Sequence, residues 1–175
     1  MTPERETGSR TESALPELVE IVRRLRAEDG CPWDRVQTHE SLKAPCIEEA
    51  AEVVCGINIL SETGRPENLK EELGDLLLQV VMHARIAEEE GLFTIEDVIQ
   101  GISDKMIRRH PHVFGSVQAD TPEAALASWN ASKQKEKAGK EWVDAYLAKA
   151  LTESKNLLDT ARKRKNLPEI PQQGI

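Results

Sequence analysis

Aromatic residues make up only 3% of the 175 positions, which argues against a sheet-rich fold, since strands recruit aromatic and β-branched side chains. Long apolar runs are missing as well: none approaches the ~20 residues of a membrane span. Cys31, Cys46 and Cys55 are odd in number and lack C-x-x-C spacing, so reduced cytosolic thiols are expected rather than a disulfide framework. Positive charge is in deficit. The net charge of −8 opposes a long polyanion such as duplex DNA as main partner, while a small anion held by a few local cations stays compatible. Residues 1–13 are polar and acid-containing, unlike a signal peptide. These absences point to a soluble, cytoplasmic protein with neither a membrane nor a nucleic-acid polymer as partner.

What is present favours helices. Charged residues reach 31%, and Leu, Ala, Glu and Ile supply most of the bulk. The length fits one domain able to bury a core without staples. Residues 1–13 read as a flexible leader. Leu15, Leu18, Val19, Val22 and Leu25 then recur at helical spacing up to Asp29-Gly30. Cys31-Pro32-Trp33-Asp34 opens a loop to about Thr38, and a short helical piece from Thr38 is expected to stop at Pro45. Helices follow over about 46–60 and 67–90, separated by the turn Ser61–Pro66 and closed by Gly91. Thr94-Ile95-Glu96-Asp97 resembles a capping box, and its helix ends by Pro111. Thr121-Pro122 reads as N-cap and first-turn proline of a helix to about Ala138, and a last amphipathic stretch covers about 141–164. No internal repeat and no convincing strand is present.

Two carboxylate pairs carry the chemistry. Glu49-x-x-Glu52 and Glu72-x-x-Asp75 are each spaced i, i+3, so each pair leaves one helix face together. Asp75 sits among leucines at 73, 76, 77 and 78, where an unpaired anion is costly to bury. In an antiparallel hairpin Glu52 and Asp75 fall level. Glu49 and Glu72 then lie about 4.5 Å to either side, at ~1.5 Å per residue. Four oxygen ligands so placed call for a hard cation such as Mg²⁺, with Mn²⁺ as a substitute. A di-iron bundle expects Glu-x-x-His pairs, and histidine is lacking at those offsets.

Other signals are read against plainer alternatives. Glu48 and Glu49 alone suit a solvated face. Lys105 and Arg109, at i, i+4, suit a surface pair, or phosphate clamps beside a metal site. Trp129 and Lys133 repeat that offset, with the tryptophan expected in the core. Trp33 either anchors its loop or stacks on a base. His83 is expected to face a core neighbour, and His110-Pro111-His112 to mark a helix end. The basic stretches 133–140 and 162–165 read as solvated, with some role in steering anions.

Gly30-Cys31-Pro32-Trp33-Asp34, Gln37-Thr38-His39-Glu40-Ser41-Leu42, Glu48-Glu49-x-x-Glu52, and Lys70 through Val81 with its E-x-x-D core form a recognisable series. Asp104-Lys105, Arg108-Arg109-His110-Pro111-His112-Val113-Phe114 and Trp129 with Lys133 complete it. Over about residues 15–137 the chain closely resembles the MazG-type nucleoside triphosphate pyrophosphohydrolases of the all-α NTP pyrophosphatase superfamily, in a single-domain form. The resemblance implies an all-α helical bundle with its active site on an antiparallel helix hairpin, completed by dimerisation. The domain then covers residues 14–138, and 139–175 form a C-terminal helical extension and tail.

It also implies Glu49, Glu52, Glu72 and Asp75 as Mg²⁺ ligands, and substrate contacts from Lys105, Arg109, Trp129 and Lys133, the cations on the triphosphate. Trp33 joins them as a candidate substrate contact and Glu48 as a candidate general base or outer-shell group. The implied reaction is Mg²⁺-dependent conversion of NTPs and dNTPs to NMP and pyrophosphate, as in nucleotide-pool cleaning, by a homodimer or higher homo-oligomer. Ala51 and Cys55 stand where the family often has Tyr and Asp, a change that bears on pocket size and substrate choice. Two alternatives remain open: a catalytically weak nucleotide-binding regulatory or protein-interaction module, and a relative acting on diphosphates or phosphoribosyl-nucleotides.

Overall fold

Helices supply all the regular structure of the computed structural model, which describes residues 8–168, with side chains from Ala14 onward; no strand occurs among the described residues. They divide into two compact units, Met1–Phe93 with Ser154–Ile175, and Thr94–Glu153.

The first unit is organised by a helical hairpin. Helix α1 spans Gly8–Leu25, α2 is the single turn Pro32–Arg35, α3 spans Lys43–Thr63 and α4 spans Glu67–Glu89. Gly64, at φ 72°, takes the left-handed conformation that closes α3, and its N–H donates to the Leu60 carbonyl at 2.9 Å. The chain then doubles back through Pro66, so α4 packs along α3. A glycine makes that packing close: a Cβ on Gly56 of α3 would sit 2.7 Å from the Leu69 Cα of α4. Overpacking of this kind costs about 1–3 kcal/mol.

The other side of α4 carries much of the core, with Val81, Met82, Ala84, Ile86 and Ala87 buried, and α1 packs on this helix with Val22 fully buried. Arg26, its side chain 6% exposed, ties the two ends together. Its guanidinium donates to Glu89 at 2.7 Å and to the backbone carbonyls of Asp34 and Gln37 at 2.6 and 3.1 Å. The anchored loop therefore has a single buried cation as its post.

Three boundaries differ from expectation. Pro45 lies inside the first turn of α3 instead of ending a shorter helix. The first backbone N–H groups of a helix have no intrahelical acceptor, so a proline there removes no bond. The expected loop at Cys31–Thr38 contains the turn of α2. Helix α1 starts within the stretch read as a leader, while residues 1–7 of that leader lie outside the described residues.

In the second unit, α5 (Ile95–Arg109) opens with a full capping box. The Thr94 hydroxyl accepts from the Asp97 N–H at 3.3 Å, and the Asp97 carboxylate accepts from the Thr94 N–H at 2.9 Å. After the turn α6 (Pro111–Phe114) comes α7 (Pro122–Lys137), whose Thr121 cap accepts from the Ala124 N–H at 3.2 Å. Helix α5 packs on both α6 and α7. The last helix, α8 (Trp142–Arg164), starts in the second unit and ends in the first, where Ala161 is buried. No helix among the described residues is long and apolar enough to cross a membrane.

Candidate metal centre and its surroundings

Helix α3 presents Glu48, Glu49 and Glu52, and α4 presents Glu72 and Asp75. The hairpin brings three of them together: one carboxylate oxygen each from Glu49, Glu72 and Asp75 lies within 4.8 Å of the others. Crowding shows in the charge balance. The Glu49 carboxyl is pushed above its ordinary value, first by burial and then by repulsion from Asp75 and Glu72, while Lys165 pulls the other way. Glu72 is oriented from its own helix, one turn back, where the Asn68 amide nitrogen donates to it at 2.8 Å. The amide oxygen of Asn68 is buried without a partner.

The fourth expected ligand stands apart. Glu52 is not in the trio but pairs with the Lys165 ammonium, and Glu48 pairs with the Arg164 guanidinium. The basic run at 162–165, expected to be solvated, is thus in part a counter-charge to α3. A second correction concerns burial. Leu73 and Leu77, whose presence suggested an apolar setting for Asp75, are themselves 50% and 42% exposed in the single chain. Convergence of the carboxylates, rather than their burial, singles out the site.

Beside the trio is a cavity of about 470 Å³. Glu48, Glu52 and Glu72 lie at its acidic side, Ala51, Cys55 and Ile59 supply small or apolar wall from α3, and Leu158, Ala161 and Leu167 close it from the C-terminal segment. Asn68, Arg162 and Lys165 add polar atoms to the lining.

The cationic candidates lie in the second unit. Arg109, 14% exposed, donates to Glu136 of α7 through Nε at 3.0 Å and Nη2 at 2.6 Å. Its guanidinium carbon lies 4.9 Å from the centre of the Trp129 ring, and His110 meets that ring edge-on at 4.9 Å. The Arg109 hydrogen bonds hold the Glu136 carboxyl below its ordinary value. The expected phosphate clamp is therefore ion-paired within its own unit. Lys105 lies one turn before Arg109 on α5, and Lys133 one turn after Trp129 on α7.

The remaining expectations resolve individually. The Trp33 ring is 62% exposed, and it is the backbone carbonyl of Trp33 that takes part in the loop, accepting from Gln37 at 2.8 Å. His83 stacks on His39, their Nδ1 atoms 2.8 Å apart, and burial with the neighbouring imidazole lowers its pKa. His110 does mark a helix end: its Nδ1 is 2.7 Å from the Met106 carbonyl.

Sequence reasoning missed Asn68, Glu136, Arg164 and Lys165. For Asn68 the signal is its i−4 offset from Glu72, whereas Glu136 pairs with Arg108 and Arg109 of a different helix and has no local signal. Pairing of Arg164 and Lys165 with residues more than 110 positions away left no local trace.

Residues 37–114, which include all five carboxylates, Lys105 and Arg109, match the family described as MazG nucleotide pyrophosphohydrolase domain. The MazG nucleoside triphosphate pyrophosphohydrolase/pyrophosphatase of Thermotoga maritima is 52% identical over 124 residues, covering 71% of this chain and 46% of that protein. The nucleoside triphosphate pyrophosphohydrolase of Escherichia coli K12 is 42% identical over 127 residues, 72% of this chain and 47% of that one. YabN of Bacillus subtilis, an uncharacterized protein, is 51% identical over 117 residues, 67% of this chain and 23% of its own length. The chain thus spans about half or less of the length of these curated relatives. The carboxylate-bearing hairpin lies within the matched segment, and the chain belongs to the MazG-type, all-α pyrophosphohydrolase family.

Proposed function

We propose that this chain hydrolyses nucleoside triphosphates, deoxy forms included, to nucleoside monophosphate and pyrophosphate with Mg²⁺ (or Mn²⁺) as cofactor, and that it serves nucleotide-pool cleaning in the cytoplasm. The observation that carries this reading is the convergence of Glu49, Glu72 and Asp75 from two adjacent helices of a matched pyrophosphohydrolase domain. An all-oxygen donor set suits a hard divalent cation. The raised pKa of Glu49 reflects burial first and repulsion from Asp75 and Glu72 second, and a bound cation offsets both.

Glu49, Glu72 and Asp75 would hold the metal, with Glu72 oriented by Asn68, and Glu52 would be a fourth ligand if freed from Lys165. When bound, Mg²⁺ offsets polyphosphate charge and aligns the phosphates. Water attacks the α-phosphorus in line, the bond to the α,β-bridging oxygen breaks, and pyrophosphate leaves with that electron pair. Glu48, freed from Arg164, is the candidate to receive the proton from water. Lys105, Arg109 and Lys133 are assigned to the β- and γ-phosphates, and Trp129 and Trp33 to the nucleoside. Ala51 and Cys55 line the cavity with small side chains, which favours acceptance of an enlarged or modified base.

The active species is proposed to be a homodimer or higher homo-oligomer. Leu73, Leu77 and Val80 recur at i, i+4, i+7 along α4, and Val54 and Ile57 lie on α3, all between 40% and 56% exposed. Apolar stripes of this kind suit a second copy of the same hairpin.

The test is a panel of normal and modified NTPs and dNTPs, with and without Mg²⁺, resolved by ion-exchange chromatography. Metal-dependent NMP and pyrophosphate are expected, and the rank order names the substrate. Nucleotide binding without any product would instead assign a regulatory module.

A further inference from the structure

The end of α8 and the residues after it lie outside the segment that matches the family, yet they close one wall of the cavity beside the carboxylates. The closure has an apolar footing and two cationic tips. Ala161 is buried, and Leu158 and Leu167 face the same cavity. The chain folds back at the helix end, where the Leu167 N–H donates to the Arg162 carbonyl at 3.0 Å and Asn166 adopts φ 52°. That turn leaves Arg164 on Glu48 and Lys165 on Glu52. Two unit cations from one short segment thus bring to α3 the same total charge as one divalent ion. Lys165 occupies the carboxylate that the metal reading needs as its fourth ligand.

We propose that Ser154–Leu167 is a tethered cationic strap that competes with the divalent metal for the α3 carboxylates, so that metal loading releases the strap. The proposal rests on the metal assignment made above and adds an exchange: one oxygen of Glu52 cannot serve an ammonium and a metal ion equally well. The apolar footing keeps the strap in place in the metal-free chain, and the strap excludes solvent from part of the cavity until the ion pairs break.

The test uses the full chain, Mn²⁺ alone as probe and no nucleotide. The variant R164Q/K165Q alters side chains 64% and 41% exposed and leaves the apolar footing intact, so the fold is retained. Free Mn²⁺ is titrated by electron paramagnetic resonance. Removal of two partly exposed ion pairs is expected to tighten Mn²⁺ binding about two- to thirty-fold. In the unaltered chain, Mn²⁺ is expected to raise amide hydrogen exchange across 154–167, a change a merely structural helix end would not show. Equal or weaker Mn²⁺ affinity in the variant, or unchanged exchange on saturation, overturns the strap and leaves the metal site standing. Absence of Mn²⁺ binding by either chain overturns both.

Discussion

The two units of this chain treat charge in opposite ways. In the first, three carboxylates converge, and burial together with repulsion from Asp75 and Glu72 raises the pKa of Glu49. In the second, Arg109 is matched by Glu136 and covered by the Trp129 ring, a cation already satisfied by its own unit. An arrangement that leaves like charges facing one another raises the energy of the unliganded protein and is relieved by a ligand of opposite sign. One that neutralises its charge internally asks a ligand to compete. The comparison therefore separates a site poised to gain a cation from a site that must exchange one anion for another.

The largest effect should come from dismantling the first arrangement. Asp75→Asn or Glu72→Gln keeps side-chain size and removes one negative charge from the trio. Turnover of the preferred nucleotide should fall by about 10²–10³, the scale seen when a preorganised electrostatic group is lost. Helical content by circular dichroism should be unchanged, because neither residue is among the buried residues of α4. Near-wild-type turnover in both variants would remove the trio from the chemistry.

The second arrangement should respond more mildly. Glu136→Gln weakens the grip on Arg109, and a phosphate then no longer has to displace a carboxylate. KM should fall about two- to tenfold with kcat unchanged, the pattern of altered ground-state binding. The Arg109–Glu136 pair also carries a pH signature. Its folded-state carboxyl pKa is lowered, so its stabilising contribution is complete above the ordinary glutamate value and is lost as pH falls through the lowered one. In Glu136→Gln that acid-side loss should be smaller, as thermal melts across acid pH would show.

The same contrast explains what the sequence could and could not reveal. Local rules sufficed for the capping box at Thr94–Asp97, the Thr121-Pro122 start and the Gly64 turn, because each is set within a few residues. The i, i+3 pairs and the short turn set Glu52 level with Asp75 and put Glu49 and Glu72 about 4.5 Å to either side, whereas the structure gathers Glu49, Glu72 and Asp75 and leaves Glu52 out. The arithmetic stopped at Glu52. It fixes where a side chain starts on its helix, and a cation from more than 110 residues away decided where it ends. Arg109 failed for the same reason: its i, i+4 partner Lys105 is legible in the sequence, but Glu136 arrives from a packed helix. The leucines around Asp75 are a poor guide because apolar composition does not fix burial: Leu73 and Leu77 are exposed in the isolated chain.

The smallest effect is the sharpest probe of the comparison, because stability and metal binding should move in opposite directions. The folded-state pKa of Glu49 is raised, so between the ordinary glutamate value and the raised one the native chain binds more protons than the unfolded chain. Metal-free stability must then decline as pH climbs through that window and remain lowered above it. Glu49→Gln removes the half-buried charge and its repulsion from Asp75 and Glu72. At neutral pH without metal, the melting temperature should rise by about 1–2 °C, the scale of a modest change at a partly exposed position. Saturating Mg²⁺ should raise it further in the natural chain and much less in the variant, since mass action stabilises only a protein that binds. A residue kept for packing would lose stability on substitution with or without the ion. A carboxylate kept for the ion should gain stability in its absence and forfeit the gain in its presence.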